Sequence, residues 1–445
     1  MNSRKLLTTD TFAKGVTFKT LALKIKDGFF DKAGFATVFA MLLLFFLKEI
    51  NELFEIYKFD IFSMFFYVIG TIACLLSIVY IFRFFCKEGS FKNKLRILKI
   101  WDIFFIFMMF WAFFSTLFSR NFMDSFYGFD NMFFLLGYTV YLVYASIYIC
   151  SRMIKSEIYK IHIFRFVSII GAFSSFITII QVIDSNYLYK IFPGAKVLFN
   201  EYSGLFINVN FFGYLMSITI ISSIVLIFIE RKLWAKFVWL VLYGIQLWAL
   251  LLNNTLGGFV AIFITIIFVS IFGIIRDKKN WIWILLIIGI LIGNCIYAEI
   301  NTNYISSNFN ILSHDVTHIT DDSAGSDRMV KWKNAFKGIK KYPLIGYGTS
   351  MYNSVFNEYI EHTVEWGIPG GFLYIAALFS MFLTGLLKVK KLNKYTLAAG
   401  LVAMSYLISG FFGFTVYYIT FMLPIFLGIF SNMNTEGEDS NEYNN

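Results

Sequence analysis

The chain has 445 residues, and too few of them are charged for a soluble protein of this length. Hydrophobic residues make up 58% of the sequence and charged residues only 15%, whereas soluble domains carry about 25% charged residues. A larger core cannot absorb this deficit, because long soluble chains divide into domains that each need a polar surface. The net charge of +10 does not indicate nucleic acid as a partner, since the basic residues form short clusters between apolar runs, as in membrane proteins.

The chain divides into a basic arm, a long apolar region and an acidic tail. Residues 1–32 lack the apolar core of a signal peptide, and we expect a basic cytoplasmic arm there. Residues 33–430 form the predicted membrane domain, and residues 431–445 are predicted to be a disordered cytoplasmic tail. A membrane span needs roughly 20 mostly apolar residues. Apolar runs close to this length occur at residues 33–47, 61–82, 100–119, 131–150, 166–184, 205–229, 237–252, 257–275, 281–298, 367–387, 395–410 and 412–430. The predicted fold class is therefore all-α integral membrane, with about 12 transmembrane helices.

The distribution of lysine and arginine gives an orientation for these helices. If the N-terminus is cytoplasmic, 27 of the 38 basic residues fall on the cytoplasmic side. Cytoplasmic segments of membrane proteins carry such an excess. The first external connection instead contains Glu49, Glu52 and Glu55. The sequence therefore predicts that both termini are cytoplasmic.

One external connection, at residues 299–366, is much longer than the others. Loops of this length without structure are uncommon and are usually functional. Three of the four histidines lie in it: His314, His318 and His362. A helix is predicted to begin near Ser326, a good N-cap residue, and a second helix is predicted to run to Trp366. This loop is where we expect the functional site.

Four stretches of the sequence each carry a short motif built on glycine, asparagine, arginine or proline. They are residues 114–138, residues 200–215 (NEYSGLFINVNFFGYL), residues 327–348 (DRMVKWKNAFKGIKKYPLIGYG) and residues 356–371 (FNEYIEHTVEWGIPGG). The last two stretches follow each other in one external loop and together contain an Arg, a Trp, a Gly-x-Gly pair and a Glu-x-Gly-Ile-Pro-Gly segment. On these residues the chain resembles the bacterial O-antigen ligase and Wzy-type polysaccharide polymerase family.

Three positions depart from the pattern of that family. Phe356 stands where members usually carry a histidine, just before Asn357. Val209 replaces the proline of an Asn-Pro-Asn pattern, and residues 253–258 read NNTLGG where many members carry a Ser-Arg pair. The resemblance therefore implies a divergent member, in which the fold and the reaction class carry over better than any one catalytic residue.

The resemblance implies a GT-C-like helix bundle in the bacterial cytoplasmic membrane that acts as a glycosyltransferase. Its donor would be a glycan on undecaprenyl diphosphate, with membrane lipid and other polysaccharide-assembly proteins as further partners. A polymerase that builds a capsule, an exopolysaccharide or O-antigen is the leading hypothesis, and a ligase with a different acceptor is the alternative. A flippase or transporter is a third hypothesis, but transporters mark their path with ionisable residues in mid-membrane, and the predicted helix centres contain almost none.

Such an enzyme must neutralise a lipid diphosphate, and arginine does this well through its planar fork of donors. In the predicted topology only Arg120 and Arg328 are external. The resemblance implies that Arg328 binds the diphosphate, with Trp332 beside it; the alternative is that Arg328 pairs with Asp327 or another acid. Arg120 is also a candidate for binding the substrate; its alternative is that it anchors the end of a helix at the interface, as arginines commonly do. Lys341 is a candidate for assisting the phosphates, and its alternative is a solvated helix face.

The second loop helix offers a candidate base. His362 lies one to two turns beyond Asn357, the asparagine that follows the family's histidine position. Glu358 and His362 are four residues apart and share one helical face, so Glu358 is a candidate for orienting the ring. The alternative is a surface contact of the kind that stabilises a helix by a few tenths of a kcal/mol. These three residues are the remaining candidates for the catalytic group.

No metal ion or other cofactor is expected. His314 and His318 have i, i+4 spacing with acids nearby, but two histidines without a fixed helix do not define a metal site. The four cysteines lie within predicted helices or at cytoplasmic rims, so no external disulfide or thiolate site is expected: Cys74, Cys86, Cys150 and Cys295. Asn208 and Asn210 are predicted within the sixth helix, where they either line the substrate cavity or bond to a neighbouring helix.

Overall fold

A computed structural model describes residues 22–54, 60–86, 98–128, 137–183, 190–192, 204–206, 208–317, 328–352 and 355–433, with the backbone alone at residues 60, 311–312 and 314–317. These parts of the chain are helical and contain no β-strand. Several predicted features lie outside the described residues. These are most of the N-terminal arm, most of the tail, Glu55, His318, Ser326 and Asp327.

The described residues form helices that follow one another with short connections. In chain order they are α1 (Asp27–Phe54), α2 (Asp60–Cys86), α3 (Ile100–Leu117), α4 (Phe122–Tyr127), α5 (Tyr138–Met153), α6 (Glu157–Ile183), α7 (Val209–Ile229), α8 (Leu233–Asn253), α9 (Leu256–Arg276), α10 (Trp281–Thr302), α11 (Tyr304–Thr317), α12 (Arg328–Lys341), α13 (Glu358–Leu387), α14 (Lys394–Ser409), α15 (Tyr417–Thr420) and α16 (Met422–Phe430), with 3₁₀ turns at Lys278–Asn280 and Gly410–Phe412.

Ten helical spans in this part of the chain are long and apolar enough to cross a membrane. They are Asp27–Phe54, Ile61–Cys86, Ile100–Leu117, Glu157–Ile183, Val209–Ile229, Leu233–Asn253, Leu256–Arg276, Lys278–Thr302, Glu358–Leu387 and Lys394–Phe412, and a shorter apolar stretch covers Tyr417–Phe430. Many large apolar side chains on these helices are exposed, as expected for surfaces that face lipid. The predicted all-α integral membrane fold is confirmed.

The helix α7 lies at the centre of the bundle, in contact with α6, α8, α9 and α14. Of its 21 residues, 18 are buried, as expected for a helix that is apolar on all sides. Lipid provides no hydrophobic force between helices, so small residues and hydrogen bonds hold them together. The Oγ atoms of Ser168 and Ser223 lie 2.5 Å apart, and the Gln246 amide donates to the Ser168 carbonyl at 3.0 Å. A Cβ on Gly258 would lie 2.9 Å from the carbonyl oxygen of Gly213, so α9 can approach α7 closely.

The helix α13 bends sharply where the loop helix meets the membrane span. Gly367 has φ of +71°, outside the helical region, and Pro369 follows it. A φ of this sign suits glycine, and proline provides no N–H for the helix. The carbonyls of Val364, Glu365 and Trp366 therefore lose their usual partners four residues ahead. Unpaired carbonyls at this depth would each be costly.

The turn at residues 343–348, which we call the kink turn, satisfies two of these carbonyls, and α3 satisfies the third. Tyr347 N–H donates to the Val364 carbonyl at 3.1 Å, and Gly348 N–H donates to the Glu365 carbonyl at 2.9 Å. The indole N–H of Trp111 on α3 donates to the Trp366 carbonyl at 3.0 Å. The described part of the two most specific sequence motifs, residues 328–348 and 356–371, therefore forms one packed unit with α3.

Candidate active site

The first two turns of α13 carry four titratable side chains that are almost fully buried. Their exposed fractions are 2% for Glu358, 4% for Glu361, 2% for His362 and 3% for Glu365. The alternative of a solvent-exposed Glu358–His362 contact is therefore wrong, because α3, α14 and the kink turn enclose this segment. We call this group the α13 cluster. It lies at the end of the bundle where α3 ends and α7 begins.

Within the α13 cluster, the His362 ring is held in one orientation. Its Nε2 lies 3.6 Å from Oε1 of Glu358, and that oxygen accepts a hydrogen bond from the Tyr374 hydroxyl at 2.7 Å. The ring stacks on Trp366 with centroids 4.3 Å apart and planes 4° apart. Among the described residues, Nδ1 of His362 has no hydrogen-bond partner. Glu358 therefore lies next to His362, as their helical spacing predicts; that it orients the ring stays a prediction.

Glu361 and Glu365 fix the two backbone segments that border the α13 cluster. Oε2 of Glu361 accepts from the N–H of Thr415 at 3.1 Å. Oε1 of Glu365 accepts from the N–H of Ser350 at 2.8 Å. Sequence reasoning did not single out Glu361, although its spacing from Glu358 and Glu365 places all three within reach of one side of the helix.

Asn357 is the N-cap residue of α13, and both polar atoms of its side chain form hydrogen bonds. Its Oδ1 accepts from the N–H groups of Tyr359 at 3.1 Å and Ile360 at 3.0 Å, as an N-cap residue does. Its Nδ2 donates to the carbonyl of Phe411 at 3.2 Å. Asn357 therefore holds the 3₁₀ turn after α14 against the start of α13.

Phe356, at the position of the family's histidine, lies under two cations of the loop helix. Nζ of Lys331 is 4.0 Å and Cζ of Arg328 is 5.9 Å from the centre of its ring, within the range of cation–π attraction. Phe356 has φ of +54°, a conformation that non-glycine residues seldom adopt and that is found preferentially at functional sites. The Trp332 indole donates to the carbonyl of Val355 at 3.0 Å and so fixes the backbone beside it.

Arg120 lies far from Arg328. Its guanidinium donates to the hydroxyl of Tyr342 at 3.4 Å, and this bond lowers the pKa of Tyr342 and raises that of Arg120. Tyr342 follows the end of α12, whereas Arg328 begins it, so at 1.5 Å per residue they are separated by roughly 20 Å. Lys341 lies at the same end as Tyr342, over its ring at 5.4 Å. The sequence-predicted cations therefore form two separate groups.

Asn208 and Asn210 lie at the start of α7 and interact with each other. Oδ1 of Asn208 accepts from the backbone N–H of Asn210 at 2.8 Å and from its side-chain amide at 3.0 Å. Asn208 is thus the N-cap of α7, not a residue within the helix as the sequence predicts. Both side chains are half-buried.

No three His, Cys, Asp or Glu side chains in the described part of the chain could hold a metal ion together. His318, Asp321 and Asp322 lie outside that part, and the side chain of His314 is not described. The four cysteines are free thiols. Metal independence of the site stays a prediction.

These features define a multi-pass membrane protein with a loop helix docked over buried acids and a histidine at one end of its bundle. Residues 239–375 match the family model described as O-antigen ligase. The match runs from α8 past the kink in α13 and includes Arg328, the kink turn and the α13 cluster, and it confirms the predicted resemblance. It indicates glycan transfer of the O-antigen ligase type, by a membrane enzyme that acts on lipid-linked glycans. No curated protein matches the chain significantly.

Proposed function

We propose that this chain is a polymerase that joins oligosaccharide repeat units carried on undecaprenyl diphosphate, at the outer face of the bacterial cytoplasmic membrane and without a metal ion. The observation that carries the proposal is the pair of cations on α12, Arg328 and Lys331, held together over Phe356. This pair suits a diphosphate, because a guanidinium fork and an ammonium can neutralise neighbouring phosphates. The product would be a capsule, an exopolysaccharide or O-antigen.

In the proposed reaction an acceptor hydroxyl attacks the anomeric carbon of the donor sugar. The bond from that carbon to the lipid diphosphate breaks, and its electrons leave with the diphosphate, whose growing charge Arg328 and Lys331 stabilise. The candidate base is His362, since Nε2 faces Glu358 and Nδ1 is left to accept the proton. Because the ring is only 2% exposed, the acceptor reaches it only after a conformational change that opens the surrounding side chains. Asn357 acts as a positioning residue.

The test is the replacement of Arg328 in cells that make the polymer. Removing one donor to a developing charge costs roughly 3–4 kcal/mol, or about 100- to 1000-fold in rate. Arg328→Ala should therefore abolish long chains, while Arg328→Lys, which keeps the charge but loses the fork, should retain some. The measurement is polymer length and yield at matched protein levels. Lys337→Ala, at an exposed position on the same helix, is the control and should behave as the wild type.

Two results would count against this proposal. Normal polymer from Arg328→Ala would remove the diphosphate role, and loss of transfer in EDTA that Mg²⁺ or Mn²⁺ restores would remove metal independence. The ligase is the second candidate, and the description of the matched family favours it. Purified protein given only the lipid-linked repeat unit distinguishes the two: a polymerase lengthens the chain, whereas a ligase needs a different acceptor.

A further inference from the structure

An open cavity lies at the end of the bundle opposite the α13 cluster. Its volume is about 580 Å³, and the starts of α6, α8 and α14 and the end of α7 surround it. Tyr214, near the start of α7, packs against Gly413, two residues before the Thr415 N–H that donates to Glu361, whereas Ile229, at the other end of α7, lines the cavity. At 1.5 Å per residue the two places are separated by roughly 20 Å. The cavity is therefore distinct from the candidate active site.

The acidic side chains of this cavity are already engaged by the protein. Glu230 pairs with Arg165, whose Nη2 lies 2.7 Å from Oε1, and accepts from the Trp239 indole at 3.3 Å. Glu157 accepts from the amide of Asn393 at 2.9 Å. The negative charges of the lining therefore do not repel an incoming anion as strongly as unpaired carboxylates would.

Two basic side chains at the rim of the cavity are not matched in this way. Arg231 and Lys232, in the connection from α7 to α8, are exposed, and neither forms an ion pair with any residue that the structure describes. Lys394, whose Nζ donates to the Ile229 carbonyl at 3.2 Å, adds a third positive charge close by. The rim can therefore accept an anion from outside the protein.

One wall of the cavity is apolar and continues along the membrane-facing surface. Ile158 and Ile161 on α6 face Trp234 and Val238 on α8. Ile158 is 64% and Trp234 66% exposed. These residues lie in the first two turns of helices that cross the membrane, where tryptophan commonly sits at the headgroup level. A small anion would leave this wall uncovered.

We propose that this cavity binds the headgroup of an anionic phospholipid. The phosphate lies against Arg231 and Lys232, and the acyl chains follow the apolar wall between α6 and α8. Basic pockets between membrane helices recognise anionic headgroups in this manner, and the apolar wall favours a lipid over free phosphate. The proposal does not depend on which reaction the α13 cluster supports.

The test is lipid binding by the full-length purified protein in neutral detergent, measured by native mass spectrometry. Phosphatidylglycerol is the probe, and phosphatidylcholine and inorganic phosphate are compared with it. Each basic residue near a charged headgroup contributes about 1 kcal/mol, so the double variant Arg231→Ala/Lys232→Ala should bind phosphatidylglycerol about 30-fold more weakly. The control is Lys278→Ala/Lys279→Ala, which removes an exposed pair at the same end and should bind within about 3-fold of the wild type.

Each outcome decides the proposal. Selective loss in the Arg231/Lys232 variant, with phosphatidylcholine and inorganic phosphate binding much more weakly than phosphatidylglycerol, supports it. Equal losses in the two double variants would show general surface attraction and overturn it. Inorganic phosphate that displaces phosphatidylglycerol at equal concentration would overturn the assignment to a lipid. Both variants replace exposed residues, so both are expected to fold.

Discussion

Replacement of Gly367 by alanine tests the central structural argument, that the kink in α13 is held by the kink turn. The new Cβ meets two independent obstacles. Alanine at φ of +71° and ψ of 176°, a region that essentially only glycine occupies, costs roughly 1–3 kcal/mol, and its Cβ would overlap the carbonyl oxygen of Leu344. That oxygen cannot retreat freely, since it accepts the Trp111 indole N–H at 3.1 Å, and such overpacking costs about 1–3 kcal/mol.

The two costs together predict a loss of roughly 2–6 kcal/mol in the free energy of unfolding. The assay is reversible denaturation of the purified protein in mixed micelles, with transfer activity measured in parallel. Gly289→Ala is the matched control, because a Cβ there has nothing within 4 Å and alanine is the better helix former. A Gly367→Ala protein within about 0.5 kcal/mol of the wild type, the usual range for a neutral surface change, would refute the reasoning.

Two further predictions concern the cap of α7 and the topology. Asn208→Ala should lower stability by about 1 kcal/mol through loss of the cap, while Asn208→Ser should restore stability; lost activity at unchanged stability would point instead to substrate contact. Reporter fusions should place residue 320 outside and residues 90, 155 and 390 inside, as the distribution of basic residues requires; a cytoplasmic signal at residue 320 would remove the argument for an external reaction.

Hydropathy predicts the existence of the membrane helices better than it predicts their ends. The run at residues 33–47 lies inside α1, which continues through Lys48 and Glu49. These polar groups are tolerated in the bundle because Lys48 pairs with Glu52 at 3.1 Å and the Glu49 carboxyl accepts a hydrogen bond from Ser174 at 3.3 Å. Such partners come from distant parts of the chain or from the next turn, and a hydropathy window does not weigh them. The sequence therefore places the start of the polar region too early.

In the candidate site, too, the sequence predicts features that depend on neighbouring residues and misses those that depend on distant helices. The helical spacing of Glu358 and His362 is local, and the structure places them in contact range as the sequence predicts. Their burial is not local, because it depends on α3 and on the kink turn. Asn208 is a cap because α7 begins at Val209, a boundary that a continuous apolar run at residues 205–229 hides. The separation of Arg120 from Arg328 likewise follows only from the direction of α12.

The hydrogen bonds that close the kink also set an order for biogenesis. Trp111 is synthesised 233 residues before Leu344, one of its two partners, so the indole N–H on α3 has no lasting partner until the kink turn and α13 have both emerged. Contacts between such distant parts of a chain form late, since a long loop must close first. A nascent chain that ends after α12 would therefore lack the hydrogen bonds from Trp111 to Leu344 and Trp366, which connect α3 to the kink turn and α13. We expect resistance to proteolysis to arise in a single late step, when the carbonyls of Val364, Glu365 and Trp366 become hydrogen-bonded.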